Sequence, residues 1–491
     1  MSVTEAGSSV ERVEVQAVNS AVSRQLYKAR EPIYPKLVHG KFRFLKWIVL
    51  FATLGVYYVL PWIRWERGPG EPNQAVLVDF PGNRFYFFFI EIWPDELYYV
   101  TGLLILGAVG LFLATALFGR VWCGYTCPQT VWTDLFIAVE RMVEGDRNKR
   151  MKLAKAPWSG EKVAKKTIKH ALWLAIAAAT GGAWVFYFHD APTIFPQLFT
   201  GAAPFSAYLF AGILTFTTYI LAGSMREQVC TYMCPWPRIQ AALTDAETLQ
   251  VTYKKDRGEP RGPHKKGESW EGRGDCVSCR ACVAACPMGI DIRDGAQLEC
   301  INCALCIDAC NDIMKKVGRP AGLISYDTDK NMERRAKGEK PTIKLFRSRT
   351  LFYAGVWLVV AAVMLFGLAS RATVEVNVLR DRTPPFVQLS DGSIRNAYTV
   401  KIINKANSAR DFILTLDGPA ALEVSAVGET VDQGSLTLTA PGDSVRSVRL
   451  FATLPGDAVT RASEPVVISI EDAETGETAT NPTVFLAERR R

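Results

Sequence analysis

Twelve cysteines carry the chemistry this sequence offers, and eight of them stand in one short stretch as two copies of C-x2-C-x2-C-x3-C: Cys276, Cys279, Cys282 and Cys286, then Cys300, Cys303, Cys306 and Cys310. That is ferredoxin spacing: three thiolates spaced two apart wrap one face of a 4Fe–4S cubane, and the fourth, carried off by three intervening residues, ligates the neighbouring cluster. The rule assigns Cys276, Cys279, Cys282 and Cys310 to a first cluster and Cys300, Cys303, Cys306 and Cys286 to a second, so the chain is expected to handle electrons singly. A disulfide framework fits poorly beside membrane spans and basic flanks, where thiols stay reduced. A zinc ribbon would use two C-x2-C knuckles rather than four stepped ligands. Pro287 after Cys286 stops the chain continuing as helix. Asn311 stands where the second copy would carry its proline, which leaves the backbone there open.

The other four cysteines form two pairs, Cys123 and Cys127 in VWCGYTCPQ and Cys230 and Cys234 in QVCTYMCPW, sharing the pattern C-x-Y-x-C-P. Each pair follows a pair of apolar stretches, so 44–134 and 171–245 form a weak internal repeat, and such repeats bring matching elements together around an axis. Four residues apart on a helix, each pair would share a face. Alternatively, Pro128 and Pro235 occupy first helical positions, placing Cys127 and Cys234 at helix N-termini where the dipole favours the thiolate. Either arrangement is expected to supply soft, ionised sulfur for Cu(I), or a dithiol–disulfide cycle. Single cysteines at span ends are often small apolar packing residues, but two matching pairs behave as a set, as metal ligands must. Met225 and Met233 are candidate thioether ligands and, more simply, apolar filler. The histidines, His39, His170, His189 and His264, offer no facing pair for a membrane haem, although His39 and His170 stand at span entrances within reach of the thiols. No G-x-G-x-x-G after a strand and no P-loop occurs, so electrons are expected from a partner protein or from quinol.

These thiols need a membrane scaffold. Of 491 residues, 49 % are hydrophobic, and the apolar ones cluster in five stretches long enough to cross about 30 Å of hydrocarbon: 44–63, 97–118, 171–188, 205–223 and 351–369. Lys46 is the one charge inside them, near an end from which its stem can snorkel. Arg12, Arg24, Lys28, Arg30, Lys36, Lys41 and Arg43 put the N-terminus on the cytoplasmic side, where Lys and Arg accumulate. Alternation then makes the basic 147–169 segment and the cysteine-rich 224–349 segment cytoplasmic, and the tail beyond Arg371 periplasmic. The net charge of +8 is loop basicity facing anionic lipid, and a nucleic-acid partner has nothing to stand on. The first forty residues lack the apolar core of a signal peptide.

The expected fold is a polytopic α-helical membrane protein of five spans, with a double-cubane ferredoxin insert (α+β) and a C-terminal all-β immunoglobulin-like sandwich. Its parts are a mostly disordered or surface-lying arm (1–43), a four-span domain with two C-x3-C-P motifs (44–250), a Gly/Pro/Lys-rich linker (251–274), the double-cluster module (275–326), a polar connector (327–348), the fifth span (349–370) and the sandwich (371–491). In the tail, 398–403, 412–416, 436–439, 445–451 and 466–470 alternate apolar and polar residues, punctuated by Asp417-Gly418, Pro441-Gly442 and Pro455-Gly456 turns. About seven short strands at this spacing suggest the sandwich. Its role is expected to be docking or scaffolding.

This order of motifs resembles the FixG/CcoG/RdxA family, the cytochrome c oxidase accessory proteins, from about residue 35 to the end. Placing the ferredoxin spacing between paired C-x3-C-P motifs and a last span is far more specific than the spacing alone. The resemblance implies a protein of the bacterial inner membrane that reduces Cu(II) to Cu(I) for assembly of a cbb-type oxidase. By that resemblance Cys276, Cys279, Cys282, Cys286, Cys300, Cys303, Cys306 and Cys310 match the cluster ligands, and Cys123, Cys127, Cys230 and Cys234 the paired motifs. Expected partners are the lipid membrane, a cytoplasmic electron donor or quinol, a copper transporter or oxidase assembly factors, and a possible second copy in a homodimer. Two other readings share the motifs: a NapH-like quinol dehydrogenase feeding a periplasmic reductase, and a non-catalytic oxidase assembly scaffold.

Overall fold

The computed structural model describes residues 12–19, 31–67, 71–265, 267–406, 408–429 and 434–487; Arg24, Lys28 and Arg30 of the basic arm lie outside the described residues. The chain divides into two compact units, Met1–Glu66 with Pro72–Met364, and Arg67–Glu71 with Leu365–Arg491.

Four helices are long and apolar enough to cross a membrane: Lys41–Trp62, Pro94–Phe118, Phe205–Met225 and Ser348–Ala369. Apolar side chains on them, such as Leu104, Phe216 and Phe366, are exposed, as a lipid-facing surface requires when the backbone satisfies itself within each helix. The fifth apolar stretch, 171–188, winds differently. It forms the distal part of the 26-residue helix Gly160–Val185, whose first turns carry Lys162, Lys165, Lys166 and Lys169, so the charged approach and the apolar stretch make one element. That helix packs closely on Phe205–Thr218: a Cβ at Gly181 would stand 2.3 Å from the Ala211 carbonyl oxygen.

Lys46 does not snorkel. It is 5 % exposed and lies 3.7 Å from Asp134, which also takes a 2.8 Å ion pair from Arg43. A carboxylate on a neighbouring helix solves the charge problem from inside.

The cysteine-rich module is built on an antiparallel pair of short strands, Gln250–Tyr253 and Ile324–Asp327, with helices Ala281–Ala285 and Leu305–Lys316 packed beside them. The 251–274 stretch, read from its Gly and Pro content as a linker, is tied into this module. Its first residues form the strand, the Gly262 N–H donates to the Cys276 carbonyl (3.1 Å) and the Asp275 N–H to the Arg257 carbonyl (3.0 Å). Trp270 packs against the same apolar core.

The described part of the N-terminal arm is likewise ordered against the module. The Val13 N–H donates to the Cys279 carbonyl at 2.9 Å and the Val18 N–H to the Gly289 carbonyl at 2.8 Å. Asn19, 4 % exposed, reaches the Met288 carbonyl at 2.8 Å. Backbone pairing of this kind uses N–H groups that every residue except proline owns, so polar composition does not forecast it.

In the tail, nine strands among the described residues form two antiparallel sheets. One runs in the order Glu423–Ala426, Ser444–Leu454, Ile394–Asn404, Val374–Arg380, with Val387–Gln388 also paired to Ile394–Asn404; the other runs Ser435–Ala440, Arg410–Asp417, Ser463–Asp472, Thr478–Leu486. Period-two alternation puts Tyr398, Val400, Ile402, Phe412, Leu414 and Ile468 into one core, the arrangement of a sandwich.

Candidate functional site

Two cavities inside the cysteine-rich module gather its thiols. One is lined by Cys286, Cys300, Cys303 and Cys306 with Met288, Ile290, Ile292 and Ile301; the other by Cys276, Cys279 and Cys310 with Tyr253, Ile313 and Leu323, and Cys282 borders both. The two C-x2-C turns bend alike. Ser278 and Arg280 bracket Cys279 with φ of 52° and 58°, and Asn302 and Ala304 bracket Cys303 with 53° and 60°. Left-handed non-glycine residues cost about 1–2 kcal/mol each and survive where the surroundings dictate them; curled turns of this sort aim backbone N–H groups at an anion. Asn311 resolves the backbone left open by the missing proline: the helix Leu305–Lys316 runs on past Cys310, and the Asn311 Oδ1 accepts from the Gly322 N–H at 2.8 Å.

Burial pushes the thiols up, Cys286 and Cys310 to about 12 and Cys300 to about 11. A metal that replaces the proton is what makes such a site pay. Buried and half-buried thiols gathered in this way, among mostly apolar side chains with Tyr253, Arg280 and Arg293 added at the second cavity, are the donor set of an iron–sulfur cluster, and the residues fit that group.

The two C-x-Y-x-C-P motifs also come together. Cys123, Cys127, Cys230 and Cys234 lie near enough for ionisation of one to oppose ionisation of the next, and Cys230 packs against the apolar cluster that holds Cys123. Cys123 lies in the short helix Val121–Tyr125 and Cys127 caps Pro128–Glu144, with Pro128 at its first position. Cys230 lies in a π-helical turn, Val229–Met233, and Cys234 follows it with extended backbone before Pro235 and the helix Trp236–Leu243. The helix from Cys127 organises both motifs. Its Gln129 donates to the Leu221 and Arg226 carbonyls (2.8 and 3.2 Å), and its Glu140 pairs with Arg226 at 2.8 Å, fixing the left-handed turn (φ 44°) that launches the second motif.

The expectation of ionised sulfur fails in one respect. Backbone N–H groups of Gln129 and Thr130 do pull the Cys127 thiol down, as a helix N-terminus should, but burial outweighs them and the net shift is upward; Cys123 and Cys230 are pushed to about 12 by burial first and the neighbouring sulfurs second. Desolvation outranks a half-charge dipole at this depth. The Cys123 thiol instead donates to the buried Gln240 Oε1 at 3.1 Å.

Both thiol sets adjoin. Cys123 and Cys303 belong to one apolar cluster, with Cys230, Cys286 and Cys300 packed against it. Gly124 makes the approach possible, since a Cβ there would stand 2.7 Å from the Ile301 carbonyl oxygen. Tyr125 Oη donates to the Cys303 carbonyl at 3.3 Å. Sequence reasoning named none of Gly124, Tyr125, Gln240 or Arg120 as functional; the glycine inside one motif copy and not the other was the available signal. His170 is engaged by Tyr219 (2.8 Å) and His264 stacks on Trp270; His39 is exposed. Met233 is 55 % exposed.

Apolar spanning helices joined to buried thiol sets of this kind define a membrane iron–sulfur protein. Family models agree: a 4Fe-4S dicluster domain matches residues 225–329, a 4Fe-4S binding domain residues 100–143, and an IG-like fold at the C-terminus of FixG residues 364–488. Nitrogen fixation protein FixG of Rhizobium meliloti is 50 % identical over 87 % of this chain and 87 % of its own. Protein RdxB of Cereibacter sphaeroides is 53 % identical over 82 % of this chain and 85 % of its own, and protein RdxA of the same organism 49 % over 83 % and 87 %. The chain belongs to the FixG/RdxA family.

Proposed function

We propose that this protein reduces Cu(II) to Cu(I) at the four-thiol site, drawing electrons from the cysteine-rich module, and releases Cu(I) for assembly of a cbb-type oxidase. Cys276, Cys279, Cys282 and Cys310 would hold one 4Fe–4S cluster and Cys300, Cys303, Cys306 and Cys286 the other; bound there, the pair supplies electrons one at a time. The source is a cytoplasmic one-electron carrier or quinol. Cys123, Cys127, Cys230 and Cys234 bind copper as substrate, each Cu(II) taking one electron, and thiolate ligation favours the cuprous product. In this reading 171–188 is a fifth span, the N-terminus and cysteine-rich module are cytoplasmic, and the sandwich is periplasmic, where it meets assembly partners. The observation that supports it best is the junction: Cys123 and Cys230 share an apolar cluster with Cys286, Cys300 and Cys303, and the Ile301–Asn302 backbone lies against Gly124.

The test is anaerobic reconstitution of the full chain, with iron and copper counted and Cu(I) formation followed by a cuprous-specific chelator after dithionite reduction. The Cys123→Ser, Cys230→Ser double variant should keep its iron and its reducibility yet lose Cu(I) formation, whereas Cys276→Ser should lose electron input and keep copper binding. Parent-like copper reduction by both variants would end this proposal. Rapid reduction of the iron centres by a quinol analogue with no response to Cu(II) would favour the quinol dehydrogenase reading instead.

A further inference from the structure

Between the two thiol sets lies a cation that neither motif contains. Gly119, with φ of +59°, turns the chain out of the second spanning helix, and Arg120 follows it, capping the short helix that carries Cys123. Arg120 is 7 % exposed. Its Nη1 donates to the carbonyls of Leu298 and Cys300, the latter at 3.2 Å, and its Nη2 to the Pro237 carbonyl at 2.7 Å. One guanidinium thus ties the loop that delivers Cys300 to the helix that follows Cys234.

Three neutral carbonyls solvate this charge without cancelling it. Among the described residues Arg120 forms no ion pair, and Glu299 is the carboxylate whose charge bears on it. A buried cation without a carboxylate in contact is costly, and an anionic cluster held through Cys300 would offset it. The other cavity differs. Arg293 lines it but forms a 2.5 Å ion pair with Asp291, and Arg280, which reaches the Val15 carbonyl, is half-buried and screened by water.

We propose that Arg120 is a positioning residue that raises the reduction potential of the cluster held through Cys300 above that of its neighbour, giving the relay its direction toward the copper thiols. This rests on the reading above that the two cavities hold 4Fe–4S clusters. One electron added there leaves the cluster one unit more negative while no bond breaks and no proton moves, so a fixed nearby cation favours the reduced state; charge and hydrogen bonding around the ligands set such potentials. The compensated arginine at the first cavity and the uncompensated one at the second make the step between them downhill.

The experiment is a dithionite redox titration of the detergent-solubilised, anaerobically purified full chain, followed by paramagnetic resonance with copper absent. Arg120→Gln should lower one of the two potentials so that its reduced-to-oxidised ratio at fixed potential falls about tenfold, which is 59 mV for one electron, and leave the other in place. Arg120→Lys, keeping the charge, should recover most of that shift. Equal movement of both potentials, movement of neither at unchanged iron content, or no recovery by lysine overturns the inference. Should Arg120→Gln fail to hold iron, Asp291→Asn supplies the complement: freeing Arg293 of its carboxylate should raise the other potential, and no rise overturns the directional argument. A parent that reduces Cu(II) while Arg120→Gln leaves the potentials unmoved sinks this inference alone; an Arg120 effect in a parent inert toward Cu(II) sinks only the copper reading.

Discussion

The two copies of C-x-Y-x-C-P share a sequence and differ in what they are built against. In the first, Cys123 and Tyr125 are 8 % and 7 % exposed, and Gly124 lies on the backbone between Cys300 and Cys303. In the second, Tyr232 and Met233 are 45 % and 55 % exposed, and Cys234 is open to solvent. The backbone at the second cysteine is nearly the same in both, φ −57° and ψ 128° at Cys127 and φ −79° and ψ 123° at Cys234, so the repeat conserves the break before proline and little else. The first copy docks the cysteine-rich module; of the second, Cys230 packs against the same cluster while Tyr232, Met233 and Cys234 are exposed. Gly124 against Thr231, at matching positions, marks the division of labour.

Exchanging those two residues gives the largest expected effect. Gly124→Thr places a Cβ against the Ile301 carbonyl, which cannot yield without moving the turn between two cluster cysteines, and displacement of about 1 Å between reacting groups can cost on the order of 10²-fold in rate. Cu(I) formation should fall by about that factor while the iron content stays put. Thr231→Gly, on the open copy, removes a half-buried hydroxyl that donates to the Glu227 carbonyl at 2.9 Å and should cost no more than about fivefold, the worth of one such bond at about 1 kcal/mol. Equal losses in the two variants would erase the distinction between the copies.

A smaller effect is expected in thiol labelling of the metal-free chain. Of the four paired-motif cysteines, Cys234, exposed, should react with a maleimide first and Cys123, 8 % exposed and donating to Gln240, last; peptide mass spectrometry reads the order. Reaction of Cys123 as fast as Cys234 would show that the first copy is not the closed one.

The same contrast explains what the sequence made legible. Cysteine spacing is local, and the structure gathers Cys286, Cys300, Cys303 and Cys306 at one cavity and Cys276, Cys279 and Cys310 at the other, with Cys282 bordering both. Period-two alternation likewise revealed the central strands of the sandwich, and burial alternates in the same way along Val374–Arg380, Glu423–Ala426 and Thr478–Leu486. Long-range contacts left no such trace. Val13 and Val18 pair with the module through backbone groups, Lys46 finds Asp134 some ninety residues on, and the Gly/Pro-rich 251–274 stretch folds back because Gly262 and Asp275 bond across it. Burial overturning the helix-dipole argument at Cys127 has the same origin, since depth is a property of the assembled fold.

The finest test of the comparison concerns the central tyrosines. Tyr125 Oη donates to the Cys303 carbonyl at 3.3 Å from a site 7 % exposed, so Tyr125→Phe removes a bond between the membrane motif and the cluster turn and leaves that carbonyl without this donor. Such a loss costs about 1 kcal/mol, and up to about 3 if the acceptor finds no replacement. Tyr232→Phe, at a position 45 % exposed, should stay within about 0.5 kcal/mol because water can take over what the hydroxyl did. Thermal unfolding of the solubilised full chain compares the two: a lower midpoint for Tyr125→Phe alone supports a docked first copy and an open second one. Equal midpoints would mean that packing at Gly124, with no help from the hydroxyl, holds the junction closed.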